Sequence, residues 1–246
     1  MGNSLYQILS ISRQDMRARL FDLDSTSNNL ANINTIGYKR NRVNFQELLE
    51  EAQHSGTRIS STQIMQDQGA RRTTSSGLDM MIQGEGFFMV QMPNDVVGYT
   101  RDGAFQLDAD GTIVSPSGYP LIWDGEIPPE TQEVQVQPNG VVYAKVNNAW
   151  EEAGTMQIAR FTNPTALQVH GDNVYLETEL SGEAVLGDPA SENFGLVNSY
   201  SLEMSNVNMA DEMTHLMTMQ RAFQISVRTF QQTDTMMQQA LRMRNA

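Results

Sequence analysis

The sequence predicts an α+β protein: N- and C-terminal helices pairing as a coiled coil, with an antiparallel β domain between them. Three observations carry this. Leu9, Met16, Leu23 and Leu30 recur at seven-residue spacing near the start, the spacing of a coiled-coil seam. Near the end, Met209, Met213, Leu216, Gln220, Phe223, Val227, Phe230, Asp234, Met237 and Leu241 alternate in steps of four and three, an a/d pattern sustained over several heptads. Between them, short apolar or alternating runs are separated by Asp102-Gly103, Asp110-Gly111 and Asn139-Gly140, dipeptides suited to hairpin turns.

Taken in order, the first region spans 1–51. Its helix closes in "SNNLANINTIGYKR" (27–40), which crowds Asn28, Asn29, Asn32 and Asn34 where a seam should finish. Asparagine is a mediocre helix former that tolerates the left-handed region, so the cluster prepares a turn. Gly37 is the expected helix stop. "FQELLEE" (45–51) predicts a short second helix. Residues 52–77 are rich in Ser, Thr, Gln and Gly and predict an extended linker. The β domain covers 78–200, where no long helical pattern interrupts the strands, which argues against a parallel α/β sheet. The last helix falls within 201–246. Asn208 is its N-cap and Asp211 gives something close to a capping box. Asp211 and Glu212 near its start and Arg221, Arg228, Arg242 and Arg244 later suit the helix dipole.

Composition narrows function. The formal charge of −13 argues against nucleic-acid and anionic-membrane surfaces, which need positive patches. With no cysteine there are no disulfides, thiolate nucleophiles or cysteine metal sites. The N-terminus lacks the basic and apolar regions of a secretory signal, and no apolar run is long enough to span a membrane. His54, His170 and His215 have no partner at metal-ligand spacing, so no metal site is expected. "DADG" (108–111) lacks the downstream carboxylate of a calcium loop and reads as a β-turn. "GEG" (84–86) lacks the Lys-Ser/Thr of a phosphate loop. The 29 acidic residues are scattered and offer no specific catalytic pair. No enzyme activity and no cofactor is predicted.

The apolar seams remain. Eight of the 16 methionines lie between Met204 and Met243, and methionine adapts to irregular neighbours. They fit either an ordinary helical core or a helix packing against several different partners. Two terminal helices have little core of their own, and isolated helices are marginal in water; helices from other subunits would complete them. The expected assembly residues are therefore Leu9, Met16, Leu23, Leu30, Asn28, Asn29 and Asn32 on the first helix. On the last they are Asn206, Asn208, Met209, Met213, Leu216, Gln220, Phe223, Val227, Phe230, Met237 and Leu241. The amides of one helix end are expected to meet those opening the other. The competing reading is a monomeric β-domain binding module with a two-helix terminal clasp.

Five stretches together resemble one family, the axial rod and hook proteins of the bacterial flagellum. They are "SNNLANINTIGYKR" (27–40), "GEGFFMV" (84–90), "YTRDGAFQLDADG" (99–111), "FTNPTALQVHGDNVYLET" (161–178) and "SNVNMADEMTHLMTMQRAF" (205–223). They occur in family order over nearly the whole chain. The β-domain motifs are most similar to the distal-rod type, and the length also suits a proximal-rod relative. The resemblance implies a structural subunit of the basal-body rod that stacks with copies of itself and with other rod and hook subunits into a helical tube. It implies a rod location in the cell envelope, contact with the surrounding rings, and export by the flagellar type III apparatus without a cleaved signal. The first helix departs from relatives richer in small residues, carrying Arg13, Asp15, Arg17, Arg19, Asp22 and Asp24.

Overall fold

A computed structural model describes residues 2–48 and 56–244, with side chains for 9–44, 63–239, 242 and 243. The chain divides into two compact units. One comprises Met1–Ala31, Asn41–Gln63 and Val207–Ala246; the other comprises Asn32–Arg40 and Ile64–Asn206.

The helical unit is built on α1 (Gly2–Ala31) and α2 (Met209–Arg244). They run antiparallel: Ser226 lies against Asp15, His215 against Asp22, and Glu212 against Asn29. The buried side chains along this contact are Ala18, Asp22, Thr26 and Asn29 on α1, and Glu212, Ser226 and Thr233 on α2. The contact is therefore mostly polar. It runs one position ahead of the predicted apolar rows, which are left on its flanks. Along α2 the hydroxyls of Thr214, Thr218, Thr229, Thr233 and Thr235 donate to the carbonyl four residues back.

Two expectations for 45–77 are corrected. The backbone of Asn41–Leu48 is a strand (β1) paired with Gly56–Ile64 (β2), so 45–48 is not helical, and 49–51 lie outside the described residues. The helix-forming composition of "FQELL" yields to strand pairing, which supplies hydrogen bonds along the whole segment. The 52–77 stretch likewise holds β2 and a further strand, Arg71–Thr73, rather than a linker.

The β unit contains two four-stranded antiparallel sheets. One orders Gln168–Gly171, Val174–Leu176, Val97–Thr100 and Phe88–Gln91; the other orders Glu133–Val136, Val141–Val146, Ala149–Thr155 and Asp124–Gly125. The run "FFMV" explains the packing. Side chains alternate across a strand, and here both faces are covered. Phe88 and Val90 enter a core with Met80, Ile82, Val142, Ile158 and Val197. Phe87 and Met89 enter a second cluster with Tyr99, Phe161 and Tyr175, where Phe161 meets Phe87 and Tyr99 edge-on. A strand buried on both faces reads as continuous apolar sequence. The turn readings at 108–111 and 139–140 hold. The Gly111 N–H donates to Asp108 O and the Gly140 N–H to Gln137 O, both glycines at positive φ.

Candidate assembly surface

The asparagines mark where each helix stops or starts. The Asn29 amide works like a piece of strand: its Nδ2 donates to Asn41 O at 2.9 Å and its Oδ1 accepts the Asn41 N–H at 2.9 Å. The same Nδ2 lies 3.4 Å from Glu212 Oε2. Asn208 caps α2, its Oδ1 accepting the Ala210 N–H at 3.0 Å and its carbonyl accepting from Glu212 N at 3.0 Å. Glu212 thus joins the Asn29 side chain of α1 to the first turn of α2, and the Asn208 carbonyl takes the ordinary helical bond from the Glu212 N–H.

Outside this polar seam several large apolar side chains of the helical unit are exposed among its charged and amide residues. Phe21 is 56% exposed, Ile225 63% and Met243 75%, with Leu20, Met209, Met213, Met217 and Met236 also exposed. Of the predicted residues, Met209, Met213, Gln220 and Asn28 are exposed; Leu9, Met16, Leu23, Leu30, Leu216, Phe223, Val227, Phe230 and Met237 are partly so. The Leu241 side chain lies outside the described residues. The structure brings Asn29 to Glu212 and leaves the apolar rows partly covered on the flanks of the contact.

Asn206 and Asn32 belong to the β unit. Asn206 Oδ1 accepts the Arg40 N–H at 2.7 Å, and its Nδ2 donates to Met65 O and Asp67 O, both at 2.9 Å. It ties 38–40 to 65–67. Asn32 accepts the Thr35 hydroxyl at 3.1 Å, closing the turn after α1. Gly37 does not end the helix, because α1 has already stopped at Ala31. Its φ is +66°, its N–H donates to Glu203 O at 2.7 Å, and a Cβ there would sit 2.5 Å from the Arg101 backbone. Close approach, not capping, requires glycine at this position.

Sequence reasoning missed the centre of that region. Lys39 Nζ lies 2.6 Å from Glu203 Oε1, and Arg101 Nη1 lies 3.6 Å from Glu203 Oε2, with all three side chains at most 5% exposed. The Gly69 N–H also donates to Glu203. Arg101 donates to Ile82 O and Gly84 O and stacks over Phe87. Burial pushes the Lys39 ammonium and the Arg101 guanidinium down, and the Glu203 charge pulls both back. Such a cluster is costly to desolvate and far costlier to break. The only sequence signal was a charge inside each of the short stretches "GYKR", "YTRDG" and "SYSLEM".

Charge is divided sharply between the units. The helical unit carries nine Lys and Arg against nine Asp and Glu; the β unit carries seven against twenty, and so holds the whole −13. Among the described residues no group of three or more His, Asp or Glu could hold a metal ion, and no helix is long and apolar enough to cross a membrane.

Residues 81–144 match the family described as "Flagellar hook protein FlgE/F/G D1 domain", and residues 198–243 match "Flagellar basal body rod FlgEFG protein C-terminal". The flagellar basal-body rod protein FlgG of Borreliella burgdorferi is 32% identical over 245 residues, covering 90% of this chain and 92% of that protein. The FlgG of Buchnera aphidicola subsp. Schizaphis graminum is 33% identical over 251 residues, covering 94% and 96%. The FlgG of Caulobacter vibrioides is 32% identical over 262 residues, covering 97% and 100%.

Proposed function

The chain belongs to the flagellar basal-body rod protein family, and on that premise we propose that its copies stack through their terminal helices into a helical tube that transmits torque to the hook. It is a structural rod subunit of the distal-rod type, not an enzyme. In the tube, 1–51 and 201–246 form the axial part, with helices of neighbouring copies packed as coiled coils, and 78–200 forms the outer layer. Other rod and hook subunits meet it at the ends of the stack, and the surrounding rings meet its outer face. The chain reaches the cell envelope through the flagellar type III apparatus, with no signal removed.

One observation supports this above the others. The fully buried side chains of the helix pair are mostly polar, while its apolar rows are only partly covered and Leu20, Phe21, Met213, Met217, Ile225 and Met236 stay exposed. A monomeric clasp needs the reverse, because exposing methionine and leucine to water forgoes the main driving force of folding. The deciding experiment removes residues 206–246 from the chain in cells that depend on it. No rods are expected, and rods assembled from the truncated chain would overturn the reading. A sedimentation series with the full chain gives a second check, in which strictly monomeric behaviour with both helices formed would favour the clasp.

A further inference from the structure

The β unit carries an open groove of about 590 Å³, within the size range of recognition clefts, about 300–1,000 Å³. Its floor is Met89, Val97, Tyr99 and Ile122, and its rim carries the carboxylates of Asp124, Glu177 and Glu183. Met89 and Tyr99 belong to the second core cluster, against which Val97 and Ile122 also pack. The groove is therefore the end of a core face that the chain leaves uncovered. Glu177 is anchored to the floor, its Oε2 lying 3.5 Å from the Tyr99 hydroxyl. No lysine or arginine lines the groove. Its occupant must bring both apolar surface and positive charge, since rim carboxylates left facing an uncharged partner would be desolvated without return.

The helical unit presents that chemistry. Arg13 and Arg17 are four apart, and Leu20 and Phe21 follow Arg17 by three and four, which places them on one face of α1; the exposed Asp24, four beyond Leu20, ends that face. All four are exposed, opposite the buried line of Ala18, Asp22 and Asn29. Neither Arg13 nor Arg17 makes an ion pair among the described residues. The helical units of other copies balance nine acids with nine cations, whereas a β unit holds seven cations against twenty acids and so has carboxylates in surplus.

We propose that the Arg13–Arg17–Leu20–Phe21 face of α1 docks in the Asp124–Glu177–Glu183 groove of a second copy. Leu20 and Phe21 cover the apolar floor, and the two arginines meet the rim. The two patches differ, so the contact is heterologous. Each bound copy still offers an unused groove and an unused helix face, and the contact propagates into an open filament instead of closing as a dimer. This rests on the rod-subunit reading and adds a contact between a helical unit and a β unit to the stacking of helices.

The test is a charge swap in the full-length chain, read as the critical concentration for filament formation by sedimentation and electron microscopy. All substituted residues are exposed, and circular dichroism checks that each variant is folded. Arg13→Glu with Arg17→Glu should raise the critical concentration roughly tenfold, as should Glu177→Arg with Glu183→Arg. Combining all four should bring it back to within about threefold of the unaltered chain. Added salt should weaken assembly of the unaltered chain more than that of either pair variant. The proposal is overturned if the four-fold variant is no better than the worse pair. It is also overturned if the arginine reversal has no effect, including when the groove reversal does, since the groove would then serve a different basic partner. An unaltered chain that forms no filament fails the rod-subunit reading itself, whereas assembly without rescue fails only this contact.

Discussion

The two units of this chain are built in opposite senses. The β unit buries Phe, Ile, Val and Met in two clusters and carries its surplus of acid outside. The helical unit is electrically balanced, lines its inner seam with Asp, Asn, Glu, Ser and Thr, and turns Leu, Phe, Ile and Met outward. The first has the organisation of a finished protein. On the rod-subunit reading proposed above, the second is an unfinished core whose remainder lies on other chains. A polar seam holds the two helices together, with the apolar rows partly covered on its flanks. Polar contacts of this kind contribute little net stability but penalise misplacement.

The largest effect is expected in the β unit. Replacing Glu203 with leucine would leave Lys39 and Arg101 buried without a counter-charge, at a cost of about 3–5 kcal/mol. Both tryptophans, Trp123 and Trp150, lie in the β unit, so urea unfolding followed by their fluorescence reads it directly. A loss below about 1 kcal/mol would mean that the cluster is not what holds 37–40 against 101 and 203.

Alkaline pH comes next. Burial, reinforced by Glu177, pushes the Tyr99 hydroxyl up to about 12 from an ordinary 10.0. The folded state thus holds this proton more tightly than the unfolded chain. Its contribution is intact below pH 10 and is lost as pH rises from 10 to about 12. Burial raises Tyr175 as well, so Tyr99→Phe should remove one proton's share of the slope of stability against pH in that window, and no more. An unchanged slope would place Tyr99 in water, contrary to the groove floor described above.

In the helical unit, removing a single rung should cost less. Ser226 donates to Asp15 Oδ2 at 2.6 Å, and Ser226→Ala should lower helix stability by about 1 kcal/mol, measured by far-ultraviolet circular dichroism. Smallest of all should be Leu20→Ser with Phe21→Ser, within about 0.5 kcal/mol for the isolated chain because both side chains already face water. The same pair should nonetheless impair filament formation. If it unfolded the isolated chain instead, the contrast between a finished and an unfinished unit would collapse.

Much of this was legible in the sequence, for reasons that also explain what was not. The hairpins at 108–111 and 139–140 follow from local turn chemistry, and the α+β class follows from a change of period. The offset of the helix seam did not. Periodicity finds an apolar stripe but says nothing about what covers it, and here Leu23 and Val227 flank a contact centred on Asp22 and Ser226. The strand at 41–48 was hidden because its first hydrogen bonds come from the side chain of Asn29, twelve residues earlier. The Lys39–Arg101–Glu203 cluster was hidden by distance along the chain, since each charge looks like ordinary surface until the other two are placed beside it. Gly37 showed its need for an unusual conformation, but not that the cause was the backbone of Arg101.

The threonines of α2 carry a mechanical consequence. Thr214, Thr218, Thr229 and Thr235 are exposed, yet each turns its hydroxyl back onto its own helix. What they offer a neighbour is a methyl group. Beside them lie Met213, Met217 and Met236, whose thioether chains are unbranched and soft. Methyls and thioethers attract through dispersion and water exclusion, neither of which is directional. Around them stand Gln220, Arg221, Gln224, Arg228, Gln231 and Gln232, also exposed, whose amides and guanidiniums bond only along set directions. The exposed side of α2 thus mixes adhesive patches that tolerate sliding with polar points that resist it.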